Sequence, residues 1–409
     1  MRKMIPECST LLILMLLSAS VMSKETTEAK AARIHKAVLT IDTHSDTPLN
    51  LLREGFDVGK MQDQASTGTK VDFPRMKEGG LDAQFFAVFV GQGPRTPEGN
   101  AIVQKKALDI LAAIRKSVDE NNTQAEIALT PDDAYRLKNE GKRAIYIGLE
   151  NGYALANDVT MVNKYYDMGI RYITLCHSSN NDICDSSTEK KKGAEYHGLS
   201  PFGKEVVAEM NRIGMMIDVS HSSDETFMDV IKMSKAPIIA SHSCSRAMCD
   251  HPRNLTDEDL HALAKNGGVI QMCFLSDYVK KPDPNPKRDS VMAIVSKKHN
   301  DFQGLTDEQT RAAYREYREE AKKFPNKLAT VQDMVDHIDH IVKVIGIDYV
   351  GIGTDFDGGG DLSGCRDVSQ MGNVTLELVH RGYSEKDIKK IWGGNFMRVF
   401  REVRKSASL

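Results

Sequence analysis

Short runs of apolar and β-branched residues recur along this chain, separated by stretches long enough for a helix. Eight such runs, bounded by turn residues, read as strands near 38–43, 83–90, 144–149, 171–176, 215–220, 237–241, 268–274 and 349–353. Between most of them the spacing becomes helical. Residues 102–117 carry Ile102, Val103, Leu108, Leu111 and Ile114 at helical intervals. Residues 201–213 start with Pro201 after Ser200 and stop at Gly214, a good helix opening and ending. Residues 330–345 begin at Thr330, align Val331, Met334, Val335, Ile338, Ile341, Val342 and Ile345, and stop at Gly346.

Strand–helix alternation repeated eight times implies an α/β fold whose parallel sheet closes into a TIM-like (β/α)8 barrel. An open doubly wound sheet is the rival architecture. Polar residues suited to metal follow the first, third, fifth and sixth strands, and an open sheet would hold those ends apart. A barrel gathers them at one mouth. Residues 276–329 break the rhythm: they are highly charged, hold Pro282, Pro284 and Pro286, and contain a helix pattern at 307–323 with Thr306 and Gln309 as a capping box. An insertion there lies on the active-site side of a barrel, as a partial lid, a subunit contact or a plain solvated excursion.

Composition narrows the class. With 409 residues, 41% hydrophobic and 27% charged, the chain has the make-up of a soluble globular protein. A barrel of this length can be one domain, expected over 24–409. A net charge of −3 gives no reason to expect nucleic acid or an anionic membrane as partner. Residues 1–23 read as a signal peptide: Arg2 and Lys3, an apolar core from Leu11 to Leu17, then small residues up to Ser23. That core is short for a spanning helix. Cys8 precedes it, which argues against a lipoprotein signal, and the polar REVRKSASL ending argues against a glycolipid anchor. The expectation is a soluble exported protein, periplasmic or secreted. Cys176, Cys184, Cys244, Cys249, Cys273 and Cys365 would remain, with pairing not readable from sequence. Cys176 and Cys273 sit in apolar runs and are expected as buried thiols. The N-x-T triplets at Asn121, Asn254 and Asn373 carry little weight.

The chemistry lies at the strand ends. His44 and Asp46 alternate along extended chain after AVLTID, so both point to one side. Glu150 follows RAIYIGL, where a carboxylate needs a partner to offset desolvation. His221 and His242 end DVSH and IASH. Three imidazoles and two carboxylates without a thiolate suit zinc, and manganese or iron less well. Shared between two ions, a bridging Glu150 leaves His44 and Asp46 on one metal and His221 and His242 on the other. Zinc lowers the pKa of bound water to about 7, so a bridging hydroxide becomes available as nucleophile.

Asp355, in VGIGTDFDGG after the eighth strand, is the candidate proton carrier, with Asp357 as the local rival. His177, after RYITLC, is placed to donate to an oxyanion, and Arg253, in HPRN, to hold a substrate carboxylate. His337 and His340 lie three apart on the helix ending at Gly346 and are expected in helix packing. The basic run Lys190–Lys192 reads as a solvated loop, and Gly358-Gly359-Gly360 as a flexible turn with no phosphate-loop context.

With IDTHSDTP, IGLENG, TLCHSSNN, IDVSHSS, ASHSCSRA, HPRNLTDEDL, DHIDHI, VGIGTDFDGG and GGNFMRVF in this order, the chain resembles the membrane (renal) dipeptidase family of dizinc peptidases, in an exported bacterial form. The resemblance implies a (β/α)8 fold, two zinc ions per subunit, and hydrolysis of dipeptides with tolerance for a C-terminal D-residue. It implies His44, Asp46, Glu150, His221 and His242 as metal ligands, His177 and Arg253 as substrate-binding residues, and Asp355 as catalytic acid/base. Homodimers are common in that family. The mammalian members carry a glycolipid anchor signal not seen here, and 276–329 looks longer than theirs. Two other readings stay open: a barrel amidohydrolase acting on an N-acyl amino acid or a lactam, and a non-catalytic exported binding protein.

Overall fold

The computed structural model describes residues 25–189, 192–302, 305 and 307–407. The segment read as a signal peptide, Lys190, Lys191 and the capping Thr306 lie outside the described residues. Nine strands form among the described residues: β1 (Ile41–Ser45), β2 (Ala83–Phe89), β3 (Ala125–Ile127), β4 (Arg143–Glu150), β5 (Ile170–Thr174), β6 (Met216–Asp218), β7 (Ile239–Ser243), β8 (Val269–Met272) and β9 (Val350–Ile352). Eight pair in parallel in the order β1-β2-β4-β5-β6-β7-β8-β9. These are the eight strands read from the sequence, with ends shifted by up to three residues. The ninth, β3, pairs with β4 at residues 143–145, below the point where β5 takes over at Ile147. Three residues are too few to leave a pattern, and the sequence reading passed over it.

The sheet curls into a nearly closed barrel. Its last seam lies just above the strands: the Asp355 N–H donates to the His44 carbonyl at 3.1 Å and the Asp46 N–H to the Phe356 carbonyl at 2.9 Å. One layer down, the buried Asp42 carboxylate accepts from the Thr354 N–H at 2.7 Å and its hydroxyl at 2.6 Å. At the opposite end the interior is apolar, with Ile41, Phe85, Tyr146, Tyr172, Met216, Ile239 and Val269 packed together. Phe396 and Phe400 of the helix Asn395–Ser406 plug it from below, 5.3 Å from the Phe85 ring and 5.8 Å from the Tyr146 ring.

Helices cover the outer face. Those at Pro201–Ile213 and Val331–Ile345 turn Val206, Val207 and Met210, and Met334, Val335, Ile338 and Ile341, into a second apolar core. Their ends are those the sequence marks. Ser200 caps the first through the Gly203 N–H, Gly214 ends it at φ 77°, and Thr330 and Asp333 form a capping box on the second. The helix expected at 102–117 runs farther, Pro97–Glu120, because Thr96 caps it and Pro97 occupies the first turn. His337 is buried in packing as expected, and His340 bonds to Asp257 at 2.7 Å.

Between β8 and β9 the charged insertion holds helices Ser276–Val279, Pro286–Lys298 and Asp307–Lys323. The second, not singled out in the sequence, starts where Asn285 caps it with Pro286 in its first turn. Phe302 stacks on Tyr314 at 4.8 Å, and Lys298 and His299 meet Glu316, which join the last two helices as a hairpin. No helix among the described residues is long and apolar enough to cross a membrane.

Phe396 fills the barrel floor far from the mouth. Phe396→Ala is expected to lower unfolding free energy by about 3–5 kcal/mol in urea denaturation, with metal content per folded chain unchanged.

Candidate metal centre

Every candidate ligand leaves the barrel at the carboxyl end of a strand, the end where barrel enzymes build their sites. His44 lies in β1 with Asp46 just beyond, Glu150 ends β4, His221 follows β6, and His242 lies in β7. All five are buried. Glu150 stands between two groups of imidazoles. Its Oε2 is 3.3 Å from His44 Nε2, while its Oε1 is 3.1 Å from His221 Nε2 and 3.5 Å from His242 Nε2. Asp46 Oδ1 is 4.0 Å from His44 Nε2, and the Nε2 atoms of His221 and His242 are 2.9 Å apart.

This donor set fits a metal. His44 Nε2, Asp46 Oδ1 and Glu150 Oε2 are buried polar atoms with no hydrogen-bond partner among the described residues. Atoms so placed are costly unless something satisfies them. Their ligand atoms fall into three overlapping clusters, within 4.8 Å in each: His44, Glu150 and His242; Glu150, His177 and His221; His44, Asp46 and Asp355. Charge points the same way. Asp46, Glu150 and Asp355 are buried at the mouth, Asp42 and Asp218 are buried in the layer beneath, and the buried Arg253 lies against His242 and near Asp355.

Proton affinities follow from this crowding. Burial pushes the Asp46 carboxyl well above the usual carboxylate range, with the Glu150 charge adding to it. Burial would raise Glu150 too, but His44 and His221 beside it hold it well below. Burial alone would depress His44. The facing Glu150, with Asp46 and Asp355 behind, instead raises it to about 10. His221 and His242 are held well below the ordinary imidazole value by burial and by the positive charges near them.

The backbone is strained where it turns these side chains inward. Asn151, His221 and Asp355 adopt left-handed conformations, at φ 76°, 71° and 60°. Each costs about 1–3 kcal/mol and is typical of functional sites. The triple glycine is better ordered than a flexible turn. The N–H groups of Gly358, Gly359 and Gly360 all donate to the Asp355 carbonyl. A Cβ on Gly358 would lie 2.2 Å from Asp355 Oδ1 and 2.5 Å from Asp46 Oδ2, so glycine makes room for two carboxylates of the chain itself.

The structure separates Asp355 from its rival. Burial raises the Asp355 carboxyl to about 7, with His44 opposing the rise, and it stands in a cluster with His44 and Asp46. Asp357 is tied elsewhere, accepting from Thr47 Oγ1 at 2.7 Å and from the Lys70 N–H at 2.8 Å. His177 stands at the rim, its side chain 27% exposed and its Nε2 4.0 Å from Glu150 Oε1. Desolvation keeps that ring below the ordinary imidazole value, hence neutral and able to donate. Arg253 donates to the His242 carbonyl at 3.0 Å, while its buried Nε has no partner among the described residues.

Three kinds of residue escaped the sequence reading. Tyr278 lies under Arg253, 5.5 Å from guanidinium carbon to ring centre, in a charged stretch that gives no sign of a site. Tyr172 bonds to His44 Nδ1 at 2.9 Å from across the barrel, over a Gly148 whose Cβ would strike its ring. Asp218 and Ser241 stand behind His242 and look like ordinary strand residues in sequence. Cys176 and Cys273 are buried thiols as expected, and the other four cysteines described are also free and buried.

Comparison with known proteins adds the family. Residues 28–408 match the membrane dipeptidase family, peptidase family M19. An uncharacterized dipeptidase of Schizosaccharomyces pombe is 30% identical over 394 residues, covering 93% of this chain and 84% of the relative. Dipeptidase 3 of Rattus norvegicus is 32% identical over 369 residues, 89% of this chain and 64% of the relative. Among solved structures, the probable dipeptidase PvdM from Pseudomonas aeruginosa superposes with a TM-score of 0.81 at 30% identity, covering 93% of this chain and 99% of that one. A metallopeptidase from Rhodobacter sphaeroides, solved with a phosphinate mimic of the dipeptide L-Ala-D-Ala, shares the fold with a TM-score of 0.71 at 22% identity, covering 90% and 99%. A match over nearly the whole described chain leaves one conclusion: the chain belongs to the membrane dipeptidase family, peptidase family M19, and is a metallodipeptidase.

Proposed function

We propose that this protein hydrolyses the peptide bond of dipeptides with two zinc ions, one held by His44 and Asp46, the other by His221 and His242, and Glu150 shared between them. The observation that carries the reading is the split of Glu150, one oxygen facing His44 and the other facing His221 and His242. The charge balance supports a pair of divalent ions, since the buried carboxylates Asp46, Glu150 and Asp355 crowd the mouth and two more, Asp42 and Asp218, lie beneath it, with Arg253 as a nearby buried guanidinium. Nitrogen and oxygen donors without thiolate favour zinc among the common choices.

Zinc in such a cluster supplies Lewis acidity and brings the pKa of water near 7. The chain's own groups do the rest. Asp355 takes the proton of the attacking water and passes it to the leaving amine, a task suited to a carboxyl raised by burial. His177 donates from the rim to the oxyanion of the tetrahedral intermediate. Arg253, with a free buried N–H and Tyr278 beneath it, takes the substrate carboxylate. A C-terminal D-residue is included in the proposal, and the fold shared with the protein that holds an L-Ala-D-Ala mimic supports testing it. Export through residues 1–23 and a single mature domain over 24–409 complete the reading.

Asp355→Asn is expected to keep its metal and lose dipeptide turnover by about 10²–10⁴-fold, measured as kcat/KM beside metal analysis. Full activity in that variant would remove Asp355 from the mechanism. Free dipeptides assayed beside their N-acetylated forms test the substrate class, and preference for the acetylated forms would favour the N-acyl amidohydrolase. The raised His44 gives a pH test. In the metal-free protein its imidazole is protonated below about 10, and Asp46 is also held protonated above the usual range. Zinc needs both deprotonated, so affinity should climb as pH rises from 6 to 9, with release of at least about one proton per chain at pH 8. Calorimetry in buffers of different ionisation heat reads that number directly.

A further inference from the structure

Behind two of the imidazoles stand hydrogen-bond relays whose directions follow from counting donors. His242 Nδ1 lies 2.8 Å from Ser241 Oγ, and Ser241 Oγ lies 2.6 Å from Asp218 Oδ2. A carboxylate accepts and cannot donate. The single hydroxyl hydrogen of Ser241 therefore goes to Asp218, and its lone pair accepts from His242 Nδ1–H. His242 is left with a lone pair on Nε2, the atom that faces His221 and Glu150. The His44 relay runs likewise through Tyr172. That phenol lies 2.9 Å from His44 Nδ1 and 3.2 Å from the Thr43 carbonyl, which only accepts. It ends on a neutral group.

Asp218 is fully buried and accepts four hydrogen bonds, all from neutral donors. The Ser220 and Ser241 N–H groups reach Oδ1 at 3.0 and 2.8 Å; the Thr174 and Ser241 hydroxyls reach Oδ2, each at 2.6 Å. No ion pair involving Asp218 forms among the described residues. A buried anion is retained at a cost unless a cation offsets it. The asymmetry of the relays matches what each metal position lacks: His44 has Asp46 beside it, whereas His221 and His242 share only Glu150.

We infer that Asp218, acting through Ser241, is the positioning residue that locks His242 in its Nδ1–H tautomer and supplies the anionic charge missing from the His221–His242 position. This rests on the two-ion reading above. Asp218→Asn should reverse the relay. Two backbone N–H groups require an acceptor at the Oδ1 site, so the amide NH2 must face the hydroxyls. Ser241 then accepts from the amide and turns its hydrogen onto His242 Nδ1, driving the imidazole proton to Nε2.

The test is zinc titration of the full chain with ¹⁵N-histidine NMR of the metal-free protein. Wild type should bind two zinc ions per chain with His242 protonated at Nδ1. Asp218→Asn should weaken one equivalent about 10–100-fold, leave the other unchanged and show the Nε2–H tautomer. Ser241→Ala should weaken the same equivalent, and Ser241→Thr should restore it, which also covers poor folding of the Asp218 variant. Equal loss of both equivalents, or no loss, overturns the inference. A wild type that binds only one zinc overturns the two-ion reading instead, and the His242 tautomer in Asp218→Asn still decides the relay.

Discussion

Excess negative charge buried at the open end of the barrel is the constraint around which this molecule is arranged. Glu150, which stands between the imidazoles, cannot be desolvated among Asp46, Asp355 and their neighbours without compensation. Arg253 offsets part of that charge from its buried place beside His242. Imidazoles crowd in from several strands, the backbone accepts left-handed turns at His221 and Asp355, and Gly358 gives up its side chain so that two carboxylates fit. Each local irregularity serves the same electrostatic problem.

The barrel resolves it by layering. Phe396 and Phe400 seal an apolar floor, and above it strand residues such as Thr43, Thr174, Asp218 and Ser241 form a hydrogen-bonded tier. The charged donors stand on that tier. Rigid support beneath ligands matters because small displacements of a donor cost much of its function. Strands supply that rigidity better than loops, and each candidate donor stands in a strand or within three residues of one.

The strand ends and the clustering of the candidate ligands were readable from the chain because polar residues that follow apolar runs stand out. His44, Glu150, His221 and His242 each follow an apolar run, and their spacing required closure. Asp355 ranked ahead of Asp357 on position alone, and the bonds from Thr47 and the Lys70 amide add the reason, since they engage Asp357 elsewhere. The helix at Pro286–Lys298 was not singled out within the charged stretch, although Asn285 caps it and Pro286 fills its first turn. Tyr172 and Asp218 were hidden for a different reason. Their roles depend on a partner across the barrel, a relation that periodicity along one strand does not encode.

The seam of the barrel has a consequence for how the protein is made. Asp42 and Thr354, which join its two edges, are 312 positions apart, and the backbone bonds of His44 and Asp46 reach equally far. A ribosome delivers the first candidate ligands early and the residues that lock them in place more than 300 positions later. No product that ends before Phe356 carries a finished mouth, so the seam closes only after the last strand has been made.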